Sequence, residues 1–503
     1  MPHRQRRWLV QVDKRIRRLG IFLIILFGIL FLQLNNLQVV QASSLDNKPG
    51  NTLTASSANS QPRGVIVARN GTVLARSVPV ADQFHYQRQY LNGPLYADIT
   101  GFDSLIYGTS GIESSYNKYL VAQQNQYTSL SDIFSTQEKY ATDTVVLTVS
   151  AKLQAEAAKA LGSLKGSVVA IDPSSGAILA MYSNPTYDPN LLAGHSSANV
   201  EAAWKNYQSD PSQPMLGWAY SRNYPPGSTF KVITTSAIFD HAPQIASQTF
   251  PNQTQIALPN TVNTLSNYDH ESCGGSLAVL LAVSCDTAYA QIGMQLGAQN
   301  MYNEAYSFGF DQTPPLDIPG AAAAQFPKAS SFDRNIPGLA YSAIGQENVS
   351  ASALQMALVS AGIADKGNIM APHLMSQIRN SQDQIVTSYI PKVWKRATSA
   401  STAAQVTQLM VGVVQNGTAQ GIAIPGVEIA AKTGTAQTNL ATSANLSSGG
   451  SENWMVAFAP AQNPKIAIAV VVPVQKGLAP NSTGALYAGP VVKSMIQTAL
   501  GLS

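Results

Sequence analysis

Ser228 and Lys231, three residues apart in "YPPGSTFK", could be a nucleophile and its base. The bland alternative is that Ser228 caps a helix that continues through "VITTSAIF", its hydroxyl accepting from an amide two or three residues on. A capping box, however, wants Glu or Gln at the third following position, and a cation in a first helical turn is disfavoured by the backbone dipole. Residues at i and i+3 share a helical face, so the lysine amine can lie beside the serine hydroxyl. A helix N-terminus and desolvation would both depress its pKa, leaving a neutral amine able to take the serine proton. Ser-x-x-Lys occurs a second time, at Ser115 and Lys118 in "ESSYNKYL", without the Pro-Gly approach, and reads there as a solvated helix face. Two further motifs single out the first copy. Ser284-Cys285-Asp286 stands at the start or turn of a helix, and Lys432-Thr433-Gly434 reads as strand. Alternation along that strand sends Lys432 and Gly434 to one face and Thr433 and Thr435 to the other. There a lysine can hold a carboxylate, and a glycine lets an extended substrate approach the strand edge.

The elements that must position these residues are legible in outline. "RGVIVARNGTVLARS" reads as a hairpin turning at Asn70-Gly71, and "GSVVAIDPSSGAILAMYS" as another turning at Pro173 to Gly176. "DTVVLTVSAKLQAEAAKAL" is a strand running into a helix near Ala151, and Ala- and Leu-rich helical patterns cover 276–297 and 351–364. "VEIAAKTGTAQ", "NWMVAFAP" and "KIAIAVVVPV" are strands, and "GPVVKSMIQTAL" is an amphipathic closing helix. Strands at both ends with helices between them predict an α+β fold: an antiparallel sheet built from the two ends, with flanking helices and a helical lobe. The low-complexity stretch 438–451 is expected to be a mobile loop.

Composition narrows the class. The 503 residues exceed one ordinary domain, and only 12% are charged. Seven Lys or Arg against Asp13 give residues 1–18 a net +6; the whole chain carries +4, so the rest carries −2. With its basicity confined to one tail, the chain lacks the footprint of a nucleic-acid binder. "LGIFLIILFGILFL" follows directly, and a helix continued to Val40 would reach about 33 Å, enough for a hydrocarbon layer of about 30 Å. The flanking arginines place the N-terminus in the cytoplasm. A cleaved signal peptide ending at Val40-Gln41-Ala42 is the rival, but that site lies far beyond the apolar run. The predicted organisation is a cytoplasmic tail 1–18, a membrane anchor 19–40, a linker 41–62, a smaller N-terminal domain 63–150 and a main domain 151–503. Cys273 and Cys285 permit one disulfide or two buried thiols. The scattered histidines, His270 and His373 among them, show no metal-ligand spacing, and no cofactor is called for.

Taken together and in order, these motifs resemble those of the penicillin-binding proteins, the serine acyl-transferases that include the serine β-lactamases. "RGVIVARNGTVLA" and "GTSGIESSYNKYL" look like the N-terminal pedestal motifs of the class B, monofunctional transpeptidases. "VVAIDPSSGAILAMYSNPTYDPN", "SCDTAYAQIG", "AIGQENVSASALQMALVSAGIADKGNIMAPH", "KTGTA" and "NWMVAFAP" look like successive landmarks of their transpeptidase domain. "LQLNNLQVVQASSLDNKPGN" is similar to the actinobacterial penicillin-binding protein A group. The resemblance implies a β-lactamase/transpeptidase-like domain on a dimerisation-like pedestal. It implies that Ser228 attacks the penultimate D-alanine carbonyl of a D-Ala-D-Ala stem peptide while Lys231 takes its proton. Ser284 would relay a proton to the departing D-alanine, and Lys432 with Thr433, Gly434 and Thr435 would hold the terminal carboxylate and backbone. The amides of Ser228 and Thr435 would form the oxyanion hole, where one donor is worth about 2.7–4 kcal/mol. An amine of a second stem peptide would resolve the acyl-enzyme, and β-lactams would acylate the same serine. A polytopic glycosyltransferase of the SEDS family is the implied partner.

This sequence departs from the family at Asp286, where asparagine is usual. An ionised carboxylate only accepts hydrogen bonds, and beside Lys231 it would raise the lysine pKa and oppose its role as base. Ala68 and Asn453 are smaller departures away from the nucleophile. A β-lactamase or D,D-carboxypeptidase is the nearest rival activity; no Glu-x-x-Asn pattern for a deacylating base stands between Ser284 and Lys432. A non-catalytic wall-assembly scaffold is the rival from another class, and the intact serines and lysines argue against it.

Overall fold

In the computed structural model, the described residues are 19, 21–31, 33, 36, 61–124, 140–438, 450–479 and 482–502. Residues 1–18, most of 41–62 and residues 439–449, on which the expectation of a mobile loop falls, lie outside them. Residues 21–31 are helical, and no helix among the described residues is long and apolar enough to cross a membrane.

The first sheet grows from the Asn-Gly hairpin. Strand β1 (Ile66–Val67) pairs antiparallel with β2 (Val73–Pro79) across Gly71, whose φ of 82° suits the turn. Strand β3 (Tyr86–Tyr90), helix α1 (Gly93–Thr100) and strand β4 (Thr144–Leu147) complete the local part. The full sheet has six strands, because Met375–Arg379 pairs with β4 and Ile385–Ser388 pairs in turn with it. This sheet thus takes strands from far along the chain, an arrangement that boundaries drawn in sequence order cannot express. Its "GIESS" helix presents Glu113, fully buried, to Arg63 and Arg88, each 2.6 Å away. Removing one partner of such a pair typically costs about 3–5 kcal/mol.

The main sheet joins both ends of the chain. After helix α2 (Ala151–Leu161) come β5 (Gly166–Ile171) and β6 (Ile178–Asn184), the second hairpin, closed at Gly176. Then follow helices α3 (Lys231–His241), α4 (Leu277–Ala282), α5 (Asp286–Leu296), α6 (Ala353–Ala364) and α7 (Ala400–Asn416). Strands β7 (Ala430–Thr438), β8 (Gly450–Ala459) and β9 (Ile466–Val472) and helix α8 (Gly484–Ala499) close the chain. The five strands run antiparallel in the order β6-β5-β9-β8-β7. Every residue of β5 and β9 is buried, so the centre of the sheet is covered on both faces. Helices α2 and α8 pack on each other and on the sheet, and α6 packs on β5 and β9. Helix α6, apolar nearly all round, is buried from Ala353 to Ile363, and its polar Gln355 and Ser360 donate to the Phe308 and Ala457 carbonyls at 2.7 and 3.0 Å.

The helical pattern at 276–297 is not one helix. Helix α4 stops in a Schellman turn: the Ser284 amide donates to the Leu281 carbonyl at 3.2 Å and the Cys285 amide to Leu280 at 2.9 Å. That turn needs a left-handed residue, usually glycine; here it is Ser284, at φ 62°. A non-glycine residue there costs about 1–2 kcal/mol, so the hydroxyl is displayed at some expense of local stability.

Candidate active site

The turn carrying Ser228 is tighter than a helix start. Gly227–Phe230 is a 3₁₀ turn, Gly227 takes φ 53°, and the α-helix proper begins at Lys231. Ser228 caps nothing with its side chain, which leaves the hydroxyl free for other partners. The turn is wedged in place from three sides. Trp454 of β8 donates its indole N–H to the Pro225 carbonyl at 2.9 Å. The Gly227 amide donates to the Gly345 carbonyl at 2.9 Å. Gly434 of β7 abuts the turn: a Cβ there would stand 2.8 Å from the Pro226 carbonyl oxygen and 2.9 Å from Thr229 Cγ2. The missing side chain of Gly434 thus makes room for the nucleophile's own turn and seats Ser228 against β7, the edge strand of the sheet.

Around Ser228 the three motifs converge. Lys231, fully buried, places Nζ 2.6 Å from Asp286 Oδ1, 2.7 Å from the Ser284 carbonyl oxygen and 3.3 Å from Ser284 Oγ. The Ser228 hydroxyl donates to the same Asp286 Oδ1 at 3.4 Å. Lys432, also fully buried, donates to Ser284 Oγ at 2.8 Å and to the Thr433 carbonyl at 3.1 Å. Ser284 therefore stands between two lysines, and Asp286 between the serine and the first of them. Strand alternation holds as well: Lys432 points beneath the cleft, whereas Thr433 and Thr435 line it. Thr433 Oγ1 lies 2.6 Å from Thr418 Oγ1.

The electrostatics resolve the conflict that Asp286 raised. Burial pushes Lys231 below its ordinary value, opposed by the Asp286 carboxylate at bonding distance, and burial wins. Burial and then the charge of Lys231 push Lys432 well below its own. Two adjacent buried lysines cannot both keep a proton cheaply, so the site favours neutral amine. A neutral Lys231 spends its N–H bonds on Asp286 and the Ser284 carbonyl, leaving the lone pair to accept.

The site opens on a cleft of about 1550 Å³ lined by Ser228, Ser284 and Asp286, by Thr433 and Thr435 of β7, and by Asn267 of the 250–275 segment. That segment is tied to the middle of the Ser284–Asp286 motif by a Cys273–Cys285 disulfide, the alternative that composition had left open. Asn267 adds a second tie, accepting from the Thr287 amide at 2.8 Å. Tyr289 was missed from sequence. Its buried ring lies 5.3 Å from Lys231 Nζ, and its hydroxyl meets Thr235 Oγ1 at 2.8 Å. The available signal was an aromatic one turn after Asp286 on the same helical face. The second Ser-x-x-Lys behaves as a surface feature: Ser115 and Lys118 are exposed, and Tyr116 separates two short helices.

Comparison with known proteins agrees with this geometry. Residues 166–497 match the penicillin binding protein transpeptidase domain and residues 63–143 the penicillin binding protein A dimerisation domain. The chain is 36% identical to the peptidoglycan D,D-transpeptidase PbpA of Mycolicibacterium smegmatis, over 97% of this chain and 99% of that protein. It is 34% identical to PbpA of Mycobacterium tuberculosis, again over 97% and 99%. Penicillin-binding protein A from M. tuberculosis, solved as its penicillin G acyl-enzyme complex, superposes with a TM-score of 0.77 at 34% identity, covering 88% of this chain and all of that one. With both domains matched in chain order and relatives aligned end to end, the chain belongs to the class B penicillin-binding proteins.

Proposed function

We propose that this protein is a serine D,D-transpeptidase that cross-links peptidoglycan stem peptides and is acylated by β-lactams. The observation that carries the reading is the shared Asp286 Oδ1, which puts the Ser228 hydroxyl and the Lys231 amine on one carboxylate. In this reading Ser228 Oγ attacks the penultimate D-alanine carbonyl, and Lys231, held with it on Asp286, takes its proton. Lys432 reaches the reaction through Ser284, which carries the proton to the departing D-alanine. The hydroxyls of Thr433 and Thr435, in the cleft, hold the terminal carboxylate, and the amides of Ser228 and Thr435 take the oxyanion. Residues 63–150 serve as the pedestal and 151–503 as the catalytic domain, with 1–18 as a cytoplasmic tail and 41–62 as the tether. Residues 19–40 anchor the chain as a single pass with the catalytic domain outside the cytoplasm. Ile24 and Phe27, 73% and 69% exposed on the described helix, support that reading. A SEDS-family glycosyltransferase is the partner we infer for the pedestal.

Incubation with a stem pentapeptide ending in D-Ala-D-Ala tests the activity. Free D-alanine and a cross-linked dimer should form together. D-alanine release without dimer would make the enzyme a carboxypeptidase, and rapid turnover of penicillin would make it a β-lactamase.

Asp286→Asn probes the base. The carboxylate raises the Lys231 pKa against burial, so removing it lowers that pKa further. Neutral amine then persists to lower pH, and the acidic limb of the acylation rate should shift to lower pH with the serine still labelled. A limb that stays put would show that Asp286 does not set the protonation of Lys231.

A further inference from the structure

A second, smaller cavity of about 120 Å³ lies where α1 meets the catalytic domain, lined among others by Asp98, Phe102, Tyr187 and Tyr220. Asp98 is 7% exposed, and no hydrogen bond reaches either carboxylate oxygen. The Ser183 hydroxyl is its polar neighbour and accepts from the Ala219 amide at 2.9 Å, which leaves it a single O–H for a carboxyl that can take several donors. No Lys, Arg or His lines the cavity; the titratable groups facing Asp98 are the phenols of Tyr182, Tyr187 and Tyr220. Burial, opposed by Ser183, pushes the Asp98 carboxyl up to about 7. An unpaired buried carboxylate is costly, and cavities with polar lining are where ligands satisfy such groups.

We propose that this cavity binds a primary ammonium group, with Asp98 as counter-ion and the rings of Phe102, Tyr187 and Tyr220 as its walls. Aromatic faces attract organic cations. The hydroxyl oxygens of Ser110, Tyr187 and Tyr220 add acceptors for the N–H bonds a carboxylate leaves over. A divalent metal fits poorly: calcium wants six to eight oxygen ligands. The cavity offers one carboxylate, and no cluster of three acidic, His or Cys residues occurs among the described residues. Pro319 is exposed among the lining residues and marks the mouth. The ligand would join the two domains, because Asp98, Phe102 and Ser110 precede residue 150 whereas Tyr187 and Tyr220 follow it. Tyr220 also belongs to the short helix 218–221 that leads into the Ser228 turn.

The test is thermal unfolding of the full chain at pH 8, where Asp98 is ionised, titrated with methylammonium chloride. The expected result is a saturable rise in Tm of about 2 °C. Asp98→Asn should lose it while still acylated by penicillin, and sodium or tetramethylammonium chloride at equal ionic strength should not reproduce it. If butylammonium binds as well as methylammonium, the natural ligand is an ammonium at the end of a chain; if methylammonium alone binds, it is a free small amine. An equal response in Asp98→Asn, an equal response to tetramethylammonium, or no response would overturn the proposal. Should Asp98→Asn fail to fold, Phe102→Leu must weaken methylammonium binding, and unchanged affinity there would overturn it equally.

Discussion

Lys231→Met is expected to slow acylation of Ser228 by penicillin G by about 10²- to 10⁴-fold, the usual contribution of a positioned base. Methionine nearly matches the length of the lysine stem and keeps the buried volume, so the fold should survive with its Tm changed by a few degrees at most. What disappears is the amine that, alone among the described residues, bonds the carboxylate holding the Ser228 hydroxyl. Lys432 does not replace it, because its Nζ reaches Ser284 and the Thr433 carbonyl. Stopped-flow acylation measured across pH separates a lost base from a disturbed fold. The variant should be slow at every pH and should lose the acidic limb that Lys231 imposes. Acylation within about tenfold of the parent would mean that the Asp286 carboxylate suffices as base.

The second large effect is expected from Gly434→Ala, a change that adds one methyl group and removes no functional atom. Its Cβ would meet the Pro226 carbonyl at 2.8 Å, Thr229 Cγ2 at 2.9 Å and Trp454 Cβ at 2.9 Å. Two of these are held firmly: Pro226 is in the Ser228 turn, and Trp454 is fully buried and bonded to Pro225. Relief must therefore come from moving the turn or the strand. Overpacking of this kind costs about 1–3 kcal/mol, and a shift near 1 Å can cost about 10²-fold in rate. We expect acylation to fall by about that factor while Lys231 and Asp286 remain in place. A parental rate with parental stability would show that the contact at Gly434 does not position the nucleophile.

How much of this was legible in the sequence depended on whether the cause was local. The hairpins at Gly71 and Gly176 and the strand containing Lys432 were readable because turn chemistry and alternation act over a few residues. The convergence of Ser228, Lys231, Ser284, Asp286 and Lys432 was anticipated from motif order, but their hydrogen bonds were not. Sequence spacing pointed the Ser228 proton straight at Lys231; the structure interposes Asp286. The sequence sets desolvation, which lowers the Lys231 pKa, against the Asp286 carboxylate, which raises it; that burial prevails is decided by packing. Burial is a tertiary property and has no local signature. The helix start or turn read at Ser284-Cys285-Asp286 is borne out, but the apolar pattern of 276–297 does not show that Ser284 itself takes the left-handed position, at φ 62°. The pairing of Cys273 with Cys285, the strands lent to the pedestal by residues 375–388, and the unpaired Asp98 all depend on contacts between distant segments.

The account rests on Ser228 being the acylated nucleophile, and one measurement addresses it directly. The full chain is incubated with penicillin G, and the intact protein and its tryptic peptides are weighed by mass spectrometry beside Ser228→Ala. The predicted result is a single stable penicilloyl adduct on the peptide containing Ser228, absent from the alanine variant. An adduct that survives in Ser228→Ala, or no adduct on the parent protein, would contradict it.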